Sequence, residues 1–279
     1  MTRTVLVTGA RGKTGREVVR RLRHADVVVR AGSSRPAGEP SPSVRPVRFD
    51  WSDPSTWPEA VDGVDAIYLM RPDRPDAPDL AARLVGLRPT AHVVLLSEQG
   101  AERMPAGHWA RRVEDAVVAG AAGWTLLRPS WFHQVLTDAR FYRDSIRTDR
   151  VFGLPSGGAP IAWVDARDIA AVAVAALGDP GRHHARAYTL TGPAVLTVEE
   201  VAAELSAQLG QPVRADDPPV RQAIEGLDAW TADLYAEVFD RVRRGDFAET
   251  SPAVAEVTGT PPVPMRAFVA EHLGEWRAG

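Results

Sequence analysis

The 279-residue chain contains no cysteine. That absence excludes disulfides, thiolate nucleophiles and thiolate metal sites together, and it permits a reducing compartment. Lysine is almost missing as well: Lys13 is the only one, and every other basic side chain is arginine. Mechanisms that need a lysine anywhere else are removed. No charge of one sign dominates, since 33 basic side chains stand against 36 acidic ones for a formal net charge of -3. Such a balance draws neither nucleic acid nor an anionic membrane, so the expected partner is a small molecule. Long apolar runs are absent too. "TVLVTGA" meets its glycine too soon for a signal peptide or a membrane span, and a cytoplasmic protein is expected. The seven histidines, His183 and His184 among them, show no H-E-x-x-H or comparable spacing, and no metal site is expected.

What is present begins with "VTGARGKTG", Val7 to Gly15. Gly-Lys-Thr could close the phosphate loop of a nucleotide triphosphatase, but that pattern needs a glycine five residues before Gly12, where Val7 stands. The spacing that is filled is G-x-x-G-x-x-G, by Gly9, Gly12 and Gly15. It lies between "RTVLVTGA", a β-branched run suited to a buried parallel strand, and "TGREVVRRLRHA", apolar at helical spacing. In a dinucleotide loop Gly9 permits the tight turn and Gly12 the close approach of backbone to pyrophosphate. Gly15 lets helix pack on strand, and the helix N-terminus faces the phosphates. A second run, "ADVVVRAGSSR", completes a βαβ unit. At its end an NAD enzyme places an acid for the ribose 2′-hydroxyl. Here stand Arg30, Ser33, Ser34 and Arg35, with Arg11 and Lys13 in the nearby loop. Cations and hydroxyls suit a 2′-phosphate, which favours NADP(H) over NAD(H). The alternative is that these arginines are a solvated turn.

Further runs, "VRPVRFD", "VDAIYLMRP", "AHVVLLSEQGA" and "GWTLLRPSWF", alternate with helical or turn-rich segments. They predict an α/β fold, a Rossmann-type doubly wound parallel sheet. Residues 1–150 are expected to form the NADP(H)-binding core, with 160–190 returning to it. Residues 191–279, broken by "DDPP", "SPA" and "TPPVP", read as a small, mainly helical C-terminal substrate-binding domain. Ligands of such sheets bind beyond the carboxyl ends of the strands, so Asp50, Met70 to Pro72, Ser97 to Gly100 and Arg128 to Phe132 are expected to rim the cleft. "RPSWFHQ" places Pro129, Trp131 and Phe132 directly after a strand, as a platform for nicotinamide or an apolar substrate, or as an ordinary core corner. "APIAWVDARDIAAVAVAAL" reads as a strand and then a helix opened by Asp165, with Asp168 in its first turn. Thr197 and Glu200 form a capping box for a helix closed at Gly210.

Through "VLVTGARGKTG", "RFDWSDPSTW", "WTLLRPSWFHQ", "VDARDIAAVAVAAL" and "LTGPAVLTVEEVA", the chain resembles the NmrA-like branch of atypical short-chain dehydrogenases over nearly its full length. Within that branch it looks most like the ergot-alkaloid reductase, or agroclavine dehydrogenase-like, family. The resemblance implies NADPH as hydride donor and reduction of an iminium formed when an amine closes on an aldehyde. It implies that Gly9, Gly12 and Gly15, with Arg11, Lys13 and Thr14, form the pyrophosphate loop. Arg30 and Arg35 then lie on the 2′-phosphate side and Asp50 and Trp51 on the adenine side. Met70 rims the cofactor, and Ser97, Pro129, Trp131 and Phe132 border nicotinamide and substrate.

Ordinary short-chain dehydrogenases protonate the developing alkoxide of a carbonyl with a Tyr-x-x-x-Lys dyad. This sequence has no such dyad: none of Tyr68, Tyr142, Tyr188 and Tyr235 precedes a lysine by four residues. An iminium already carries the charge that protonation would create, so hydride transfer to it needs mainly proximity and orientation. His108 and His133 are the candidate general acids. The reading is an NADPH-dependent oxidoreductase, most of all a cyclic imine reductase of secondary metabolism. The alternatives are a quinone or carbonyl reductase of the same branch, or an NADP(H)-sensing regulator without catalysis.

Overall fold

A computed structural model describes residues 2–277. In chain order the elements are β1 (Arg3–Val7), α1 (Gly15–Leu22), β2 (Val27–Ser33), β3 (Val44–Arg48), α2 (Trp57–Val61), β4 (Ala66–Met70), α3 (Ala77–Leu87), β5 (His92–Leu96), α4 (Trp109–Gly120) and β6 (Gly123–Pro129). There follow β7 (Val151–Gly153), α5 (Ala166–Gly178), α6 (Pro180–His183), β8 (Arg186–Leu190), α7 (Val198–Leu209) and β9 (Arg214–Asp216). The chain ends in α8 (Val220–Ala223), α9 (Ala229–Arg243), α10 (Ala253–Thr258), α11 (Met265–Glu271) and α12 (Leu273–Trp276).

Seven strands form one sheet in the order β3-β2-β1-β4-β5-β6-β8, and every pair from β3 to β6 is parallel. This is a doubly wound Rossmann-type sheet whose order reverses at β1. The central strands are apolar on both faces because helices cover both: Val5, Leu6, Val7, Ile67, Leu69, Val93 and Leu95 are buried. Pro46, which cannot donate to a ladder, lies in β3 at the sheet edge. On α1, Val18, Val19 and Leu22 turn inward while Arg16 and Arg20 face water.

The chain divides into two compact units. Unit 1 comprises Met1–Pro129, Ala166–Thr189 and Glu256–Gly259, and its core gathers on Trp57, Ile67, Leu84 and Leu95. Unit 2 comprises Ser130–Asp165, Leu190–Ala255 and Thr260–Gly279; it is mainly helical, with β7 and β9 pairing in parallel. Its core gathers on Phe152, Trp163, Phe268 and Trp276, and the Trp276 indole donates to the Leu136 carbonyl at 2.8 Å. The boundary expected at residue 150 falls inside unit 2. Trp131 accounts for the difference, since its ring packs on Phe239, Trp163 and Phe247 and ties residues 130–165 to the later segments.

The strand expected in "APIAWVD" is not formed. Ile161 and Val164 make single bridges to Leu196 and Phe132, and the carbonyl of Trp163 is spent on Gly192 N–H. The capping box is present: Thr197 Oγ1 accepts from Glu200 N–H at 3.2 Å and Glu200 Oε2 from Thr197 N–H at 2.8 Å. Gly210 closes α7 at φ +68°. Among the described residues no helix is long and apolar enough to cross a membrane.

Candidate functional site

The loop between β1 and α1 follows a course that leaves no room for side chains. Gly9 sits at φ +62°, and a Cβ there would collide with the Met70 side chain. A Cβ on Gly15 would strike the Gly9 carbonyl, and one on Gly12 would stand 3.2 Å from that oxygen. The hydroxyl of Thr8 donates to the Tyr68 carbonyl at 3.1 Å and accepts from Met70 N–H at 2.8 Å, pinning the end of β1 to the end of β4. Tyr68 in turn donates to Thr14 Oγ1 at 2.8 Å, and burial pushes its phenol pKa up. With its hydroxyl held there, Thr14 gives α1 no side-chain cap. The first-turn N–H groups are therefore left uncapped by a side chain, which suits an anion at this helix start.

Beside the loop, within unit 1, is a cleft of about 400 Å³. Three stretches after the loop complete its wall: Gly9, Arg11 and Gly12 come from the loop, Ser33, Ser34 and Arg35 from the end of β2, Phe49, Asp50 and Trp51 from beyond β3, and Met70 from the end of β4. Arg11 Nη1 donates to the Arg35 carbonyl at 3.1 Å, which fixes the loop arginine to the β2 end. The opposite wall is aromatic. Trp51 meets Phe49 edge-on at 5.0 Å and Trp57 at 5.4 Å. The Trp51 indole nitrogen is buried and has no hydrogen-bond partner among the described residues. Asp50 accepts from Ser52 N–H at 2.9 Å, and its carbonyl accepts from the Trp57 indole at 2.7 Å. Backbone that no Cβ could cover, guanidinium and hydroxyl groups, and an aromatic wall with a waiting donor all fit a dinucleotide with a phosphorylated ribose.

The structure thus brings Gly9, Arg11, Gly12, Ser33, Arg35, Asp50, Trp51 and Met70 together. Thr14 and Gly15 shape the loop without lining the cleft, and Lys13 is a half-buried loop residue. Arg30 is a correction. It lies inside β2, away from the cleft-lining end, and its guanidinium donates to the carbonyls of Glu59 and Ala60 at 2.8 and 3.1 Å. Phe49 was not singled out from the sequence, although its place in "RFDW" next to Asp50 offers the signal.

Ser97 and Pro129 lie at the carboxyl ends of β5 and β6, where the Pro129 carbonyl accepts from Gln99 N–H at 3.0 Å. The Ser97 hydroxyl donates to Glu114 Oε1 at 2.6 Å. Glu114 also takes Arg128 Nε and Nη2 at 2.9 and 2.6 Å, and Arg128 Nη1 reaches Glu102 at 3.1 Å. Sequence reasoning missed Glu114. Its signal is a carboxylate on the buried face of α4, between Val113 and Val117.

The two histidines take other roles in the geometry. His108 is the N-cap of α4, and its Nδ1 accepts from Ala110 N–H at 3.2 Å. That bond needs an unprotonated Nδ1, so the ring is engaged in holding the helix start. His133 belongs to unit 2, is 1% exposed, packs on Phe268 at 5.1 Å and has Nδ1 3.7 Å from Asp165 Oδ2. Trp131 and Phe132 are half-buried in unit 2. Among the described residues no group of three or more histidine, aspartate or glutamate side chains could hold a metal.

A family model described as NAD(P)H-binding matches residues 9–180, which spans the glycine loop, the cleft and the sheet. The chain belongs to this NAD(P)H-binding family. A (4-alkanoyl-5-oxo-2,5-dihydrofuran-3-yl)methyl phosphate reductase of Streptomyces griseus is 38% identical, over 96% of this chain and 97% of that one. An NAD(P)H azoreductase of Xenophilus azovorans is 34% identical, over 98% and 99%. Agroclavine dehydrogenase of Claviceps fusiformis is 27% identical, over 98% of each. In fold, the chain is similar to an NADPH-dependent quinone oxidoreductase of Escherichia coli solved with NADPH, with a TM-score of 0.79 at 21% identity over 96% of this chain and 99% of that one. Family membership with relatives of this kind makes the protein an NAD(P)H-dependent oxidoreductase.

Proposed function

We propose that the protein is an NADPH-dependent reductase of a small polarised acceptor, foremost a cyclic imine or iminium of secondary metabolism. One observation carries this reading: no tyrosine and lysine are placed to protonate an alkoxide. Lys13 is in the glycine loop, Tyr68 is fully buried against Thr14, Tyr142 is buried against Phe152, Tyr188 pairs with His183 and Tyr235 packs on Phe239. An acceptor that already bears positive charge or extended conjugation dispenses with that proton. The relatives' names support the same class, one giving a dihydrofuran substrate and the other an azo compound. The motifs shared with the ergot-alkaloid reductase family support the imine.

When bound, NADPH supplies the hydride. The chain's residues do the rest. Gly9, Gly12 and Gly15 bring backbone against the pyrophosphate. Arg35, Ser33 and Ser34, with Arg11 fixed beside them, hold the 2′-phosphate. Trp51 and Asp50 face the adenine, and Ser97 borders the reacting end. Trp131 and Phe132 contact the substrate. The test is NADPH oxidation with a panel of cyclic imines, azo compounds, quinones and aldehydes. Imine-dependent oxidation supports the reading, and turnover confined to aldehydes and ketones would reject it.

A further inference from the structure

At the end of β5 a buried ion pair fixes the polarity of one hydroxyl. Glu114, 4% exposed, is clasped by two nitrogens of Arg128, so it is an ionised carboxylate that can only accept. Ser97 lies 2.6 Å from Glu114 Oε1 and has one proton to give, which this bond takes. Two lone pairs remain on Ser97 Oγ, and no donor to that atom is present among the described residues. Ser97 follows Leu96, which pairs in register with the cleft residue Met70. The hydroxyl therefore stands at the carboxyl edge of the sheet, next to the strand that closes the cleft, where ligands of such sheets bind.

We infer that Ser97 is a fixed hydrogen-bond acceptor which selects a protonated C=N substrate bearing an N–H over a carbonyl compound of the same shape, with Glu114 as its positioning residue. The inference rests on the reductase reading above and names the substrate class for that site. A carbonyl oxygen turned toward Ser97 meets lone pairs with no proton between them, and both acceptors lose hydrogen bonds they held in water. An iminium N–H meets a ready acceptor. The discrimination expected from one such bond is about tenfold in affinity.

The test is calorimetric titration of the NADP⁺-loaded protein with two isosteric rings, piperidine, which is protonated at neutral pH and donates N–H, and cyclohexanone, which only accepts. The native protein is expected to bind the amine in preference. Ser97→Ala should weaken piperidine about tenfold and leave cyclohexanone unchanged, while Ser97→Thr should restore the preference. Glu114→Gln places an amide that can donate to Ser97, turns its proton outward and should shift the preference toward cyclohexanone. If Glu114→Gln fails to fold, Ser97→Ala still decides. A ratio unaltered in Ser97→Ala, or native protein that binds the two rings equally or not at all, overturns the inference. Absence of imine-dependent NADPH oxidation, with the Ser97-dependent amine preference intact, would instead reject the imine reading and leave the role of Ser97 standing.

Discussion

Arg35 stands where an NAD enzyme carries an acid, and its effect should be confined to the phosphate that separates the two cofactors. Arg35→Ala is expected to weaken NADPH about 10- to 100-fold, by the loss of a charge-assisted contact, and to leave NADH nearly unchanged. Parallel titrations with the two cofactors check this, and an equal loss for both would contradict it. Gly15 makes a different kind of contribution. Gly15→Ala drives a Cβ into the Gly9 carbonyl, so we expect a loss of about 1–3 kcal/mol and of tight NADPH binding, measured by thermal unfolding and titration. The glycines were legible in the sequence because their constraint is local: close approach of backbone dictates both residue and spacing. Arg30 was misread because membership of the right strand does not decide which end of it faces the cleft, and the Glu59 and Ala60 carbonyls that hold it come from another part of the chain. Glu114 escaped notice for the same reason, since its partners Ser97 and Arg128 lie 17 and 14 residues away on two strands.

Among the elements, α7 offers a test that leaves the cleft untouched. Thr197 caps its first turn in unit 2, so Thr197→Ala should cost about 1 kcal/mol, seen as a fall in Tm, with NADPH affinity unaltered. A change in NADPH affinity would contradict the separation. Elements were read well where signal and cause share one segment: β-branched runs for β1, β2, β4 and β5, and the box and glycine for α7. "APIAWVD" has the same local look as a strand, yet it makes only isolated bridges. A ladder needs a partner of matching length, and that is decided by how residues 130–165 pack with the segments after Leu190 in unit 2.

For the whole molecule, the sheet couples stability to pH through His92. It begins β5, its Nε2 lies 3.0 Å from Thr125 Oγ1, and that hydroxyl gives its proton to the His183 carbonyl, so the ring donates from Nε2. Burial, then the neighbouring His184, Arg3 and His183, push its pKa down to about 4. The unfolded chain takes up this proton near pH ~6.5 and the folded chain does not, so the contribution is complete above that pH and is lost as pH falls toward about 4. His92→Gln should flatten Tm against pH over that window, and an unchanged acid limb would contradict the assignment. The doubly wound class followed from the alternation of runs, whereas the division at Pro129 rests on the long-range packing of Trp131, which no local pattern carries. The central claim is hydride delivery from NADPH to a cyclic imine without a tyrosine–lysine dyad. Its most direct measurement is the rate of NADPH oxidation by the purified protein on addition of a cyclic imine, beside a simple ketone of the same ring size. The account predicts oxidation that depends on the imine and is faster than with the ketone; NADPH binding with no imine-dependent oxidation, or a faster rate with the ketone, would contradict it.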